Sequence, residues 1–273
     1  MTLNRSYFIR CLKSFTTRFF LCWGGVALII TATDTQANER YLRFGFGLDH
    51  PETSYFHDEY CNSNHLLYGC QEGRDGIRPI RSLGEFGNVP VVQFGIGYPS
   101  DRTRWELLVE YRPSFSFSGN ATYPGSFAAV ASAKNISSLA GMVAGYIDLS
   151  DGGKTVPFVG AGLGIAQNRM KGFQIRFPST TTIVPGAKKT NFVWMITAGI
   201  GFKLDKKQTL DLSWQYTDLG SLYTGQNGRN YCNRPNVGLG CDYSGQFRSS
   251  LTHIPTVAEL KGHGIRLSLR IKI

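Results

Sequence analysis

Several features that mark other protein classes are missing from this 273-residue sequence. Beyond residue 32, no stretch of about 18 consecutive apolar residues occurs, which excludes a transmembrane helix from most of the chain. The sequence has no Cys-x-x-Cys pair, which argues against a zinc site of the common structural type. Its basic residues form no run that resembles a nucleic-acid-binding arm, so nucleic acid is not a predicted partner.

The N-terminal segment has the three parts of a secretory signal peptide. It begins with four basic residues, Arg5, Arg10, Lys13 and Arg18. The apolar segment 19–32 follows and is too short for a membrane helix, and Thr35-Gln36-Ala37 places small residues around a cleavage point. We therefore predict a signal peptide over 1–37 and a single domain over 38–273. An uncleaved anchor helix is the alternative.

Cysteine usage agrees with an exported chain. An even set remains after the predicted signal peptide, namely Cys61, Cys70, Cys232 and Cys241. Four cysteines in an oxidising compartment predict two disulfide bonds, with three connectivities open. Because closing a short loop costs less entropy, we favour pairing within each closely spaced couple, Cys61–Cys70 and Cys232–Cys241. A zinc site is the alternative.

The charge balance is basic, with a formal net charge of +10. The predicted signal peptide holds four basic residues and one acidic residue, which leaves about +7 for the remainder. The basic residues are scattered over loops and strands. A surface that faces anionic lipopolysaccharide or host glycans is one interpretation, and an ordinary solvated surface is the other.

Residues 190–220 predict a hairpin of two unusually long strands. In the first strand, apolar side chains alternate with polar or small ones from Phe192 to Leu204. Asp205 to Gln208 form a short polar turn, and the alternation restarts at Leu210 and continues through Tyr216. Soluble strands usually have about five or six residues, whereas strands of roughly ten residues with aromatic ends are typical of membrane-spanning barrels.

The same alternation recurs along the chain. Together with the hairpin it predicts eight strands, the other six over about 40–48, 91–98, 104–117, 137–149, 156–167 and 260–273. The connections alternate between long and short, as in outer-membrane barrels with short periplasmic turns. We therefore predict an all-β fold, an eight-stranded antiparallel transmembrane up-and-down β-barrel with four external loops, two of them long. Its surroundings would be outer-membrane lipid and lipopolysaccharide.

The charged residues of these strands share the face opposite the apolar one. The predicted interior charges are Arg43, Glu106, Glu110, Arg112, Asp211, Arg266, Arg270 and Lys272. They could line a narrow, porin-like pore or could pair with each other. Because eight strands leave little free bore and buried charges need partners, we favour a closed, salt-bridged interior.

The sequence predicts no catalytic, cofactor-binding or metal-binding residue. The polar group in the first long loop lacks a recognised metal-ligand spacing, and it comprises His50, His57, Asp58, Glu59 and His65. Gly160-x-Gly162-x-Gly164 lacks the spacing of a nucleotide-binding fingerprint. His263 and Ser268 share a strand but fall on opposite faces, so they do not form a nucleophile site. An enzyme is therefore not predicted.

Four stretches resemble opacity-type outer-membrane proteins, which are similar to the transmembrane domain of OmpA-type proteins. They are KNISSLAGMVAGYIDL (134–149), TVPFVGAGLGIAQNRM (155–170), NFVWMITAGIGFKLDKKQTLDLSWQYTDLG (191–220) and HGIRLSLRIKI (263–273). The resemblance implies an integral barrel in the outer membrane of a Gram-negative bacterium. Opacity proteins use their external loops as adhesins, whereas OmpA-type domains are structural.

The chain departs from the family pattern at two places. Gln215 stands where the family often has an arginine between two aromatics, which weakens any interior ion pair carried over from the family. The sequence ends in Ile273, where an aromatic usually serves recognition by the barrel assembly machinery. An apolar residue on the lipid face is expected to serve instead.

We predict a surface protein whose external loops mediate adhesion or contact with a host receptor or matrix protein. Loops on a rigid scaffold commonly carry function, and aromatic and arginine side chains suit contact surfaces. The candidate residues are Tyr55, Phe56, Tyr60, Tyr68, Tyr223, Arg229, Tyr231 and Arg234. The alternatives are a structural envelope barrel without a specific ligand and a narrow channel.

Overall fold

The computed structural model describes residues 40–62, 65–125, 129–150, 153–233 and 249–273. These residues form fourteen strands: β1 (Tyr41–Pro51), β2 (Ser54–Asp58), β3 (Ser82–Glu85), β4 (Val89–Ser100), β5 (Thr103–Ala121), β6 (Val130–Asp148), β7 (Thr155–Arg169), β8 (Gly172–Arg176), β9 (Thr180–Pro185), β10 (Lys188–Lys203), β11 (Gln208–Tyr223), β12 (Gly228–Cys232), β13 (Ser249–Leu251) and β14 (Thr256–Lys272). Within this part of the chain, no helix has both the length and the hydropathy to span a membrane.

Eight of the strands close into a ring. Every neighbouring pair is antiparallel, and the order around the ring is β1, β4, β5, β6, β7, β10, β11 and β14. The last strand pairs with the first in register from Tyr41 opposite Lys272 to Pro51 opposite Gly262. Closure leaves no unpaired edge within the ring, which is the condition for β-structure to cross a lipid bilayer. The predicted eight-stranded barrel is confirmed.

The outward face of the ring is an apolar band. On β10 the exposed outward side chains run from Phe192 through Trp194 to Phe202. Ten residues of strand span about 33 Å, which at a tilt of about 40° corresponds to roughly 25 Å of membrane. Apolar side chains therefore face outward and the alternating positions face inward, as the sequence predicts.

The two ends of the barrel differ. Short turns join β4 to β5, β6 to β7 and β10 to β11, and both termini of the ring lie at that same end, where the Ile273 amide donates a hydrogen bond to the Arg40 carbonyl. In outer-membrane barrels this is the periplasmic end. The longer connections therefore emerge on the outside of the cell.

The external connections contain more regular structure than the sequence predicts. The segment after β7, predicted as a polar loop, forms the β8–β9 hairpin, which pairs with β6 through β8. The first long loop contributes β2 and β3, and the last contributes β12 and β13. The β2–β3 hairpin lies between β14 and the outer end of β5. The barrel wall therefore continues outward beyond the membrane, because the outer ends of β5, β6 and β14 offer edges that these short strands pair with.

Candidate functional site

The inner half of the lumen holds a layer of paired charges. Arg43 lies 2.9 Å from Glu106, and Asp211 accepts contacts from arginines on three different strands. Arg104 reaches Asp211 at 3.6 Å, and Arg270 reaches it at 2.7 Å. The guanidinium of Arg104 also lies over two aromatic rings, those of Tyr146 and Phe158, at 4.4 and 4.5 Å. The charges at this level are therefore compensated by direct contact.

A second charged layer lies nearer the outside. Arg112 contacts Asp49 at 2.8 Å and Glu110 at 2.7 Å, and Arg266 contacts Asp49 at 2.6 Å. The Gln215 amide donates a hydrogen bond of 2.9 Å to Glu110 across the lumen. Each layer balances its guanidinium groups against carboxylates, which is the requirement for burying charge at a tolerable cost.

Above the charged layers the lumen is filled with apolar side chains. The ring of Phe56 packs against Phe117 and Phe173 with centroids 4.9 and 4.6 Å apart, and Phe86 packs against Phe117 at 5.3 Å. Ile80 is fully buried in the same cluster. An open aqueous channel would expose the side chains that line it. Apart from Arg270 at the inner end, those of the two charged layers and of this aromatic cluster are buried, so the described residues seal the lumen.

The predicted interior charges lie where parity places them, with one exception. Arg43, Glu106, Glu110, Arg112, Asp211 and Arg266 are buried, and Arg270 is partly buried at the inner end. Lys272 is exposed at the end of β14, so its prediction as an interior charge is wrong. Lys272 is the last residue of β14, at the periplasmic end of the ring.

Three interior charges were missed in the sequence, namely Asp49, Arg104 and Asp148. Asp49 falls one residue beyond the predicted end of the first strand, which in fact continues to Pro51. Both Asp49 and Arg104 share the parity of neighbouring residues that were predicted to face inward, so the signal was present. Asp148 pairs with Arg104 at 3.2 Å at the inner opening.

We call the structure beyond the membrane the outer cap. It consists of the segments 59–62 and 65–81 and the strands β2, β3, β8, β9, β12 and β13. Cys61 and Cys70 form a disulfide bond within it, as predicted. Cys232 is also disulfide-bonded. Cys241 lies outside the described residues, so the pairing Cys232–Cys241 stays a prediction.

Buried polar contacts hold the disulfide loop against the barrel. The carboxylate of Asp58 accepts hydrogen bonds from the amides of Leu67, Tyr68 and Gly69 at 3.0, 2.8 and 2.8 Å. The Tyr68 hydroxyl donates to Ser82 at 2.7 Å, and its ring stacks on that of Tyr123 at 5.7 Å. Burial raises the pKa of both tyrosine hydroxyls well above the usual range. These contacts fix Leu67, Tyr68 and Gly69 in the cap.

The predicted contact residues of the loops divide into several groups. Tyr55 and Tyr60 are exposed, and Arg229 is exposed at the start of β12. The predictions for Phe56 and Tyr68 as surface residues are wrong, because both side chains point inward and pack in the apolar core of the cap. Tyr223 and Tyr231 are half-buried, and Arg234 lies outside the described residues.

The exposed face of β2 and β3 carries a compact patch. Tyr55 is opposite Leu83 in the strand register, and the side chains are 45% and 44% exposed. The Arg81 guanidinium lies over the Tyr55 ring at 5.3 Å and also pairs with Asp75 at 3.0 Å. The His57 and Tyr55 rings meet edge to face with centroids 5.2 Å apart. We call Tyr55, His57, Arg81 and Leu83 the tyrosine patch.

A shallow groove adjoins the tyrosine patch where β3 pairs with β5. The lining includes Leu83, Glu85, Ser118 and Asn120. Gly84 and Gly119 face each other across the pair, where an added Cβ would come within 2.2 to 2.3 Å of the opposite backbone. This close approach gives the groove a floor of backbone, with polar side chains at its edge.

The fold and the distribution of its side chains define a class. A closed antiparallel barrel of eight strands, with an apolar outer band and an ion-paired interior, is a transmembrane β-barrel of the outer-membrane type. A family model described as the outer membrane protein beta-barrel domain matches residues 21–244. The chain belongs to this family, and its location is the outer membrane of a Gram-negative bacterium.

Several solved structures resemble this chain. Neisserial surface protein A is 10% identical with a TM-score of 0.36, covering 86% of this chain and 97% of that chain. OprG from Pseudomonas aeruginosa is 13% identical with a TM-score of 0.47, covering 87% and 97%. The outer membrane protease OmpT from Escherichia coli is 7% identical with a TM-score of 0.41, covering 89% and 100%. No curated protein sequence matches the chain significantly.

Proposed function

We propose that the protein is a surface-binding protein, an adhesin-like barrel whose outer cap contacts a host receptor or matrix protein. The observation that carries this proposal is the tyrosine patch outside the membrane. There the exposed side chains of Tyr55 and Leu83 adjoin two partly buried ones, His57 and Arg81. Exposed apolar groups rimmed by polar residues often mark interaction sites, and tyrosine and arginine are enriched where binding energy concentrates.

The patch lies outside the lipid because of the register of β14. Ile265 faces the lipid, and the outward positions beyond it are His263 and then Lys261, which pairs with Glu259 at 2.7 Å. Val257 is opposite His57 in the next stretch of pairing. Continued to Tyr55, this register reaches Glu259, six residues beyond Ile265, which corresponds to about 20 Å along the strand and about 15 Å along the membrane normal at a tilt of about 40°. Tyr55 therefore projects into the aqueous layer above the membrane surface.

The patch is also fixed in position. β2 pairs with β14 on one side and with β3 on the other, and the opposite face of β2 places Phe56 in the aromatic core. An ordered binding surface loses less conformational entropy on binding than a flexible loop does. The sealed lumen also supports a function at the surface, since passage of solutes would need an open bore.

Export through a signal peptide over residues 1–37 belongs to the same proposal. So does insertion by the barrel assembly machinery. The resemblance to opacity-type proteins supports binding by external segments, and it does not identify the ligand.

The experiment is an attachment assay with point variants. The barrel is expressed in a non-adherent bacterium as the full chain, as Y55A/L83S and as the control V130S/I183S, and attachment to host cells and to immobilised matrix proteins is counted. Val130 at the start of β6 and Ile183 on β9 are 44% and 42% exposed and lie outside the tyrosine patch, so the control removes exposed apolar side chains elsewhere on the external surface. Surface display is verified by antibody labelling of intact cells.

We expect attachment by the full chain and by V130S/I183S, and a loss of about tenfold for Y55A/L83S, equivalent to about 1.4 kcal/mol. Equal loss of attachment in both double variants would contradict binding by the tyrosine patch. Background attachment by all three displayed proteins would contradict the proposal and favour a structural envelope barrel.

A further inference from the structure

Four exposed cations cluster on the outward face of the barrel at the outer ends of β6, β7 and β10. They are Lys134, Arg169, Lys171 and Lys188, which we call the cationic rim. On β7, Arg169 is opposite Lys188 of β10 on one side and opposite Ser137 of β6 on the other. On β6, Lys134 is opposite Gly172 of β8. Lys171 lies two residues beyond the end of β7, and its carbonyl accepts a backbone hydrogen bond from the Gly186 amide. Three adjacent strands thus bring the four side chains to one area.

The strands β7 and β10, which carry Arg169 and Lys188 of the cationic rim, contain no acidic residue. Residues 156–202 contain no aspartate or glutamate, and the ion pairs found between described residues include none of the four rim side chains. The arginines of the lumen and Lys261 differ in this respect. Lys261, on the opposite side of the ring, is paired with Glu259 at 2.7 Å, and the buried arginines are all paired with carboxylates.

The pairing of Arg169 with Lys188 is unfavourable for the barrel alone. Like charges directly opposite each other on neighbouring strands destabilise a sheet. A bound anion would reverse the sign of this contribution. Arg169 can form paired hydrogen bonds with phosphate oxygens, and the lysines can add point charges around them.

The height of the cationic rim identifies the anion. Ile165 and Phe192, paired in register, are 65% and 64% exposed on the lipid-facing side. Gln167 and Thr190 are the next outward pair, and Arg169 with Lys188 follows. The step from the apolar pair to the cationic pair is four residues, about 13 Å along a strand and about 10 Å along the membrane normal. That distance reaches from the hydrocarbon into the headgroup layer.

We infer that the cationic rim is a binding site for the phosphate groups of lipopolysaccharide in the outer leaflet. The apolar side chains below it contact the acyl chains, and the four cations contact the phosphates of the same molecule. This inference depends on the orientation of the barrel in the membrane and not on the proposed adhesive function.

The test uses the full chain refolded in detergent with lipopolysaccharide that bears its phosphates or with the dephosphorylated form. Bound lipid per barrel is measured by native mass spectrometry over a series of salt concentrations. The site variant is R169Q/K171Q/K188Q. The control K203Q/K206Q/K207Q removes three exposed cations at the periplasmic end of the β10–β11 hairpin. Inorganic phosphate is added in a further arm.

We expect the wild-type protein and the control to retain intact lipopolysaccharide, with affinity that falls as salt rises. The site variant should bind at least tenfold more weakly, and dephosphorylated lipid should bind all three proteins equally weakly. Equal retention by the site variant and the control would overturn the inference. Complete displacement by millimolar inorganic phosphate would also overturn it, because the site would then recognise the free anion and not the lipid.

Discussion

Arg104 and Asp211 lie on opposite walls of the barrel, yet their side chains meet 3.6 Å apart. β5 and β11 are four strands apart in either direction around the ring. The hydrogen bond from Gln215 to Glu110 joins the same two strands at a higher level. Side chains therefore cross the full diameter of the lumen twice, below a third layer of packed aromatics.

Replacing Asp211 with asparagine should strongly destabilise the barrel. Its carboxylate is fully buried and serves Arg43, Arg104 and Arg270 together, so the neutral variant leaves buried guanidinium groups undercompensated. We expect a loss of roughly 3–5 kcal/mol, measured by urea unfolding in lipid vesicles through tryptophan fluorescence.

Asp148 supplies the matched control for this measurement. Its side chain is 23% exposed and contacts only Arg104 among the ion pairs of the described residues. Asp148→Asn should therefore cost at most about 1 kcal/mol. Similar losses in the two variants would mean that the central ion-pair layer contributes no more than a surface pair.

Two glycines on adjacent strands should respond differently to the same substitution. A Cβ on Gly164 would lie 2.0 Å from the Gly141 carbonyl oxygen, which belongs to the backbone and cannot move aside, whereas a Cβ on Gly141 would meet nothing within 4 Å. We expect Gly164→Ala to cost about 1–3 kcal/mol and Gly141→Ala to be near neutral. The yield of the compact, heat-modifiable form on unboiled gels measures the difference. Equal yields would show that the barrel can accommodate a Cβ at Gly164 without a clash.

The carboxylate of Asp58 should control the order of the outer cap. Asp58→Ala removes the acceptor of three loop amides, and hydrogen bonds to a charged group contribute about 1.5–3 kcal/mol. We expect rapid proteolytic cleavage of the cap while the barrel remains intact. Glu72→Ala changes an exposed carboxylate in the same loop and should leave cleavage unchanged. If both variants resist protease like the wild type, the loop is held by other contacts.

The cap should also loosen at alkaline pH. Burial raises the pKa of Tyr68 and Tyr123 above that of an unfolded tyrosine, about 10, so the unfolded cap releases protons that the folded cap retains. Their contribution to stability is complete below pH 10 and declines as pH rises further. Cleavage by an alkaline protease at pH 8 and above pH 10 tests this. The Y68F/Y123F variant should show a weaker dependence on pH, and an unchanged dependence would assign the effect to other groups.

The barrel was predictable because its physical constraint is periodic. Lipid outside and polar contacts inside impose alternation on every strand, so Arg43, Glu106 and Asp211 could be placed inside from parity alone. Asp49 carried the same signal but lay beyond the predicted strand end. Strand ends are poorly defined by pattern, since polar residues continue on both faces once the strand leaves the membrane.

The outer cap was not predictable in the same way. β2 has five residues, and its alternation of Tyr55 and His57 with Phe56 is too short to separate from a polar loop. Its conformation depends on pairing with β14 and β3, which are distant in sequence. Phe56 and Tyr68 were therefore predicted as surface aromatics, although tertiary contacts bury both side chains in the core of the cap.

The most direct test of a sealed barrel that functions at its outer surface is electrical. Purified, heat-modifiable protein is inserted into a planar lipid bilayer, and single-channel current is recorded at fixed voltage beside a known porin. The packed lumen predicts a flat baseline for the wild-type chain. Regular conductance steps that change in size when Glu110 or Arg112 is substituted would contradict it, because the ions would then pass through the layer that these side chains fill.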